Sequence, residues 1–255
     1  MGKTSIEWTD VSWNPTTGCT KISDGCKNCY AEKLSFRLKA MGNKKYINGF
    51  DVTLHPSALN EPFNWRKPRM VFVNSMSDLF HENIDNDFII KVFEVMNNTP
   101  QHIYQILTKR TKRLLSLKDM VIWTENIWIG TTVEHQKYQE RIDDIILVPA
   151  KVRFLSCEPL LSTMKNANLE GINWVIVGGE SGTDSRVINE SWVLEIKNLC
   201  EIYSIPFFFK QWGSKKSNPN PNDPTISSTN QFHAKGGCEL NGKVYHEFPE
   251  VSFIL

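Results

Sequence analysis

"MVFVNSM" (70–76) is an almost unbroken apolar run that ends in Asn74 and Ser75. A strand buried on one face alternates apolar and polar residues; one buried on both faces does not. The run therefore predicts a strand inside a parallel sheet, with polar side chains delivered at its C-terminal end. Similar runs recur outward in both directions: "IEWTDVSW" (6–13), "IYQILT" (103–108), "IWIGTTV" (127–133), "VRFLS" (152–156), "WVIVGG" (174–179) and "IPFFFKQ" (205–211). Helical stretches separate them. "CYAEKLSFRLKAMG" spaces Leu34, Leu38 and Met41 by four and three and stops at Gly42. "DNDFIIKVFEVMNN" opens on cap candidates and carries an apolar stripe. "TKRTKRLLSL", "EHQKYQERIDDIIL" and "NESWVLEIKNLCEIY" complete the set. Strands alternating with helices predict parallel β/α units, six or seven of them before residue 212.

The 255 residues suit one large α/β barrel domain over 1–212. The segment 213–255 reads as an appendage. "GSKKSNPNPNDPTISSTNQ" predicts an exposed flexible loop running to Lys235. "CELNGKVYHEF" predicts a hairpin turning at Asn241-Gly242. A net charge of +1 gives no bulk electrostatic argument for a nucleic-acid partner. No stretch of eighteen apolar residues predicts a membrane span, and "MGKTSIEWTD" lacks an apolar signal core, so a cytoplasmic location is expected. Reducing conditions disfavour disulfides and turn attention to what clustered thiols do instead.

Three of the six cysteines lie within eleven positions of "GCTKISDGCKNCYAEK" (18–33), as Cys19, Cys26 and Cys29. Three close thiolates can wrap one soft metal centre. A structural zinc site closes with four ligands, and the fourth would have to come from outside the loop. An iron–sulfur cubane held by three thiolates leaves one iron open to a ligand. The spacing, C-x6-C-x2-C, does not choose between zinc and cluster.

A strand, three clustered cysteines with an aromatic beside the last, and a following helix resemble the radical S-adenosylmethionine superfamily. That superfamily's commonest spacing is C-x3-C-x2-C with the aromatic before the last cysteine; here the first gap is six and Tyr30 follows Cys29. A closer resemblance covers most of the chain. "IEWTDVSWNPTTGCTKISDGCKNCYAEK", "VFVNSMSDLFHE", "ILTKR", "FLSCEPLL", "VIVGGESG" and "PFFFKQWG" look like a phage and mobile-element family known by its three-cysteine motif and as a domain of unknown function. The superfamily resemblance implies a partial (β/α)6-type barrel with Cys19, Cys26 and Cys29 holding a [4Fe–4S] cluster. It further implies S-adenosylmethionine on the open iron, cleaved by one electron to a 5′-deoxyadenosyl radical. The electron donor would be a flavodoxin or ferredoxin.

Polar residues at the strand ends supply the remaining candidates. Asn74, Ser75, Tyr30, Lys109, Gly178, Gly179 and Glu180 are candidate cofactor contacts. Asp78, His81 and Glu158 are candidate catalytic groups. In ordinary surroundings the same residues serve as caps, turns and solvated ends, and Cys157 as plain core. All the strand ends are expected to converge on one mouth, with the three thiols meeting at a point above it. Eight tryptophans and "RKPR" (66–69) raise contact with nucleic acid, by stacking and by phosphate binding. Three functions compete: a cluster-dependent radical enzyme on a nucleotide, nucleic-acid or peptide substrate, a zinc-stabilised binding module with a protein or nucleic-acid partner, and a hydrolase or lyase without any cluster that uses Asp78, His81 and Glu158; the first is the leading expectation and the zinc module its alternative.

Overall fold

The computed structural model describes residues 4, 6–182, 184–226 and 236–250. Seven strands, β1 (Val11–Trp13), β2 (Met70–Val73), β3 (Ile103–Thr108), β4 (Ile127–Thr132), β5 (Arg153–Cys157), β6 (Trp174–Gly178) and β7 (Phe207–Gln211), form one sheet. They lie side by side in chain order, and every pair is parallel. Five helices fill the crossovers: α1 (Tyr30–Ala40), α2 (Asn86–Asn97), α3 (Thr111–Leu117), α4 (Glu140–Ile146) and α5 (Glu190–Ile202). The β5–β6 connection has no helix among the described residues. Caps fall where the sequence places them: Asp85 accepts from the Phe88 amide and Asn189 from the Ser191 amide. β1 is shorter than the expected 6–13, because Thr9 and Asp10 break off to bind the backbone of Met70.

The sheet is rolled. Trp8, just before β1, packs on Phe72 of β2 at a 4.7 Å ring separation and on Trp174 of β6 at 6.3 Å. In a flat sheet five strand spacings would hold β1 and β6 about 24 Å apart. The two strand faces then have different neighbours. Val71, Val73, Tyr104, Ile106, Leu155, Val175 and their equivalents face the helices in the larger core. Trp8, Phe72, Trp128, Phe154, Trp174 and Phe208 fill the concave side toward the strands' N-terminal ends. Continuous apolar runs follow directly from this burial on both faces.

The C-terminal segment closes the open edge. The Phe209 amide donates to the Tyr245 carbonyl (2.8 Å) and the Glu247 amide to Phe207 (3.3 Å), so an antiparallel stretch covers β7. His246 stacks on Phe208, and the Trp174 indole donates to Glu247. The expected hairpin is present: Glu239–Leu240 pairs with Lys243–Val244, and Asn241 and Gly242 both have positive φ. Part of the loop expected over 213–235 (227–235) lies outside the described residues. Within 214–226 Lys215 and Lys216 are exposed, whereas Ser217, Asn218 and Asp223 are buried. The Asp223 carboxylate accepts from Asn218, Thr225 and the Glu239 amide there. Among the described residues no helix is long and apolar enough to cross a membrane.

Candidate functional site: a clamped cysteine loop at the barrel mouth

Residues 18–29 run from β1 across the C-terminal ends of the strands to the start of α1. Gly18 anchors the loop: its amide donates to Met76 (3.0 Å), and at φ +84° an added Cβ would sit 2.2 Å from the Asp51 carbonyl oxygen. Three carboxylate–arginine pairs, each built on different strand ends, then grip it.

Beyond β3, buried Arg110 donates to the Thr20 carbonyl (3.2 Å), the Thr20 hydroxyl (2.8 Å) and Cys19 Sγ (3.6 Å). Asp78 and Glu82 brace its guanidinium. Asp78 also accepts from the Phe80 and Lys109 amides and the Thr108 hydroxyl. His81 bonds Thr20 Oγ1 through Nε2 (2.9 Å), and its Nδ1 accepts from the Asn83 amide, which assigns the ring proton to Nε2. Burial, reinforced by Arg110, holds the His81 pKa below its ordinary value. Asp78 and His81, expected as catalytic groups, bear on the loop through Arg110 and through Thr20, respectively, and their other bonds go to Phe80, Thr108, Lys109 and Asn83.

Beyond β4, Glu134 is fully buried and accepts from the Gly25 amide (3.2 Å); Arg141 of α4 pairs with it at 3.0 Å. Beyond β6, Glu180 accepts from Asn28 (3.0 Å) and from Arg186, whose guanidinium also reaches the Asp24 carbonyl (3.0 Å). The Glu180 carboxyl lies below the usual range: desolvation works against this, but the bonds from Arg186 and Asn28 outweigh it. At the far end Tyr30, half exposed, donates its hydroxyl to the Ser75 carbonyl (2.5 Å).

The thiols differ. Burial and the nearby Asp78 push Cys19 up to about 11, against the pull of Arg110. Burial also works to raise Cys26, but the Lys109 charge and hydrogen bonds at Ile22 and Ser23 hold it below its ordinary value. Cys19 and Cys26 feel one another's charge. The expectation that the thiols meet at one point is not met as a single-ion site: among the described residues no three Cys, His, Asp or Glu side chains are arranged to hold one metal ion. A cubane takes its thiolates at separate corners, so it asks for thiols around one space. Lys109 favours the thiolate at Cys26, and Arg110 pulls Cys19 the same way without overcoming burial and Asp78; three thiols in one loop are the donor type a cluster takes.

Under the loop, the concave face turns polar. Lys210 of β7 and Glu158 beyond β5 pair at 2.7 Å. Desolvation would lower the Lys210 pKa, but Glu158 and Glu7 together outweigh it and the shift is upward. The Glu158–Pro159 peptide is cis. A side chain at Gly178 would meet the Glu158 carboxyl at 3.3 Å, and one at Gly179 would collide with the Trp212 carbonyl at 2.3 Å, so the protein itself occupies that space. Asn74, at φ +60°, accepts from the Thr16 amide, while its Nδ2 is buried with no hydrogen-bond partner. Asn74, Ser75, Glu158 and Glu180 therefore share one end of the sheet. Cys157 faces the helices inside the larger core. Trp8, Trp13, Trp65, Trp128, Trp174 and Trp212 are buried, so they offer no stacking platform, and "RKPR" precedes β2 at the opposite end. Sequence reasoning passed over Glu134, Arg141, Asn28 and Arg186. Glu134 alone carried a signal, as a charged residue just beyond an apolar strand.

Over residues 3–249 the chain matches a family described as a protein of unknown function, DUF5131. The chain belongs to the DUF5131 family. No curated protein and no solved structure matches it. For this DUF5131 chain, the chemistry has to be argued from the mouth itself.

Proposed function

We propose that the protein is a radical S-adenosylmethionine-type enzyme in which Cys19, Cys26 and Cys29 are the thiolate ligands of a [4Fe–4S] cluster. One observation carries the reading: the three-cysteine loop lies across the C-terminal mouth of a parallel half-barrel and is clamped there from the ends of β2, β3, β4 and β6. When bound, such a cluster supplies the electron that splits S-adenosylmethionine into methionine and a 5′-deoxyadenosyl radical. The chain's own residues have simpler tasks. Arg110 orients Cys19 and Thr20, and Lys109 favours thiolate at Cys26. The buried Asn74 Nδ2 is a spare donor for an anionic group. The Glu158–Lys210 pair presents both charges to a bound molecule, and the aromatic filling beneath keeps water out from below. A flavodoxin or ferredoxin in the reducing cytoplasm would supply the electron.

The test is anaerobic reconstitution with iron and sulfide, followed by metal analysis, visible absorption and electron paramagnetic resonance. The expected result is about four irons per chain and a reduced-state signal that changes on adding S-adenosylmethionine. Cys→Ser at any of the three positions should lose that signal. Stoichiometric zinc without a reducible cluster would replace this reading with that of a zinc-stabilised binding module.

A further inference from the structure

We propose that the outer face of α1, with the turn that follows it, binds single-stranded nucleic acid and leads it to the barrel mouth. Of the helix's apolar stripe only Leu38 packs inward, on the small cluster of Ala31, Tyr46 and Met76. The buried residues of α1 are Ala31 and Ser35, while Tyr30, Leu34 and Met41 are 53%, 36% and 71% exposed. Tyr30, Lys33, Leu34, Arg37 and Met41 follow at i, i+3, i+4, i+7 and i+11, so cations and apolar groups share one exposed face.

The charge there is one-sided. Residues 21–45 hold seven Lys and Arg against two acids, in a chain whose net charge is +1. Both acids are engaged, Glu32 by Lys21 and Asp24 by Lys137. Lys33 stands 3.6 Å from exposed Asp184. A second copy of the same face would be repelled. A bilayer is met by a helix whose apolar and basic faces are separate, and here they are interleaved. Alternating cations and apolar surface instead match a strand that offers phosphates and open base faces in turn. A duplex hides those base faces. The Tyr30 ring is held at the rim by its bond to Ser75, and it stands immediately beside Cys29. Lys33, Leu34, Arg37 and Met41 lie outside the cysteine loop.

The experiment is fluorescence anisotropy of the full chain with a labelled 20-nucleotide strand of mixed sequence, as DNA and as RNA, against the matching duplex. Contact with about four phosphates gives a slope of about −3 in log affinity against log salt. Between 50 and 200 mM salt the affinity should then fall roughly fifty-fold. The duplex should bind at least tenfold more weakly. The double variant Lys33→Glu/Arg37→Glu should lose tenfold or more with an unchanged unfolding midpoint. Lys91→Glu, exposed on α2, should bind like the wild type. Strand affinity should be the same before and after reconstitution with iron and sulfide, which separates this proposal from the cluster reading. No binding at 50 mM salt would overturn the proposal, as would equal affinity for duplex. Equal loss in Lys91→Glu, strand binding that appears only after reconstitution, or retention on phosphatidylserine vesicles without strand binding would also overturn it.

Discussion

Glu134 shows how much one side chain does at this mouth. Its carboxylate is fully buried, accepts from the Gly25 amide of the cysteine loop, and neutralises Arg141, itself 5% exposed. Removing one partner of a buried pair leaves the other charge uncompensated, which costs about 3–5 kcal/mol. Glu134→Ala should therefore lower the free energy of unfolding in urea by about 3 kcal/mol or more. Glu134→Gln, which keeps an acceptor for Gly25, should lose less. The exposed Asp24–Lys137 pair is the internal contrast: Asp24→Asn should leave the unfolding midpoint where it is. Equal losses at the two sites would mean that burial does not set the strength of these pairs.

The cysteine loop, as an element, is held by its surroundings more than by its own structure, which amounts to one short turn over Asp24–Cys26. Releasing one clamp should loosen the whole segment. Arg186→Ala removes bonds to Glu180 and to the Asp24 carbonyl. Losing about 1.5 kcal/mol of charge-assisted hydrogen bonding should speed amide exchange across residues 19–29 roughly tenfold, with the β3–β5 amides unchanged. Exchange that rises everywhere would show that Arg186 supports the fold and not the loop. The same loop marks the boundary of what the sequence could convey. The strands were legible because a strand buried on both faces reads as an apolar run, as at Met70–Val73 and Trp174–Gly178. The loop was legible because thiols clustered in it. Its clamps were not, because Gly25 and Glu134, or Asn28 and Glu180, lie more than a hundred residues apart and share no local pattern. The spacing in α1 predicts an ordinary amphipathic helix, yet Leu34 and Met41 face outward and only Leu38 packs inward; periodicity reveals a stripe without saying which part of it meets the core. The antiparallel cover on β7 was hidden for the same reason as the clamps, since its partner strand lies some forty residues back.

At the scale of the whole molecule, neutral histidines tie the fold to pH. His55, His81, His102 and His246 all have pKa values below the ordinary 6.5, in each case chiefly through burial, and His55 is lowered to about 4. His55 bonds the Thr17 hydroxyl next to the cysteine loop, and His246 stacks on Phe208 at the seam, so the four sample separate parts of the barrel. A histidine with a depressed folded pKa takes up its proton more readily when unfolded. Its contribution is therefore fully present above pH 6.5 and is lost as pH falls from there through the folded value. The carboxylates of Glu82, Glu180 and Asp223, also lowered, act in the same sense at more acid pH, while Glu7, raised by desolvation, acts against them. The urea midpoint should stay level from pH 8 to 7, then decline steadily between pH 6.5 and 4.5. In His55→Gln that decline should be shallower, because one of the protons taken up on unfolding is gone. A level profile down to pH 4.5, or a decline with the same slope in the variant, would mean that these rings are charged in the folded state and that the barrel accommodates them with partners other than those described.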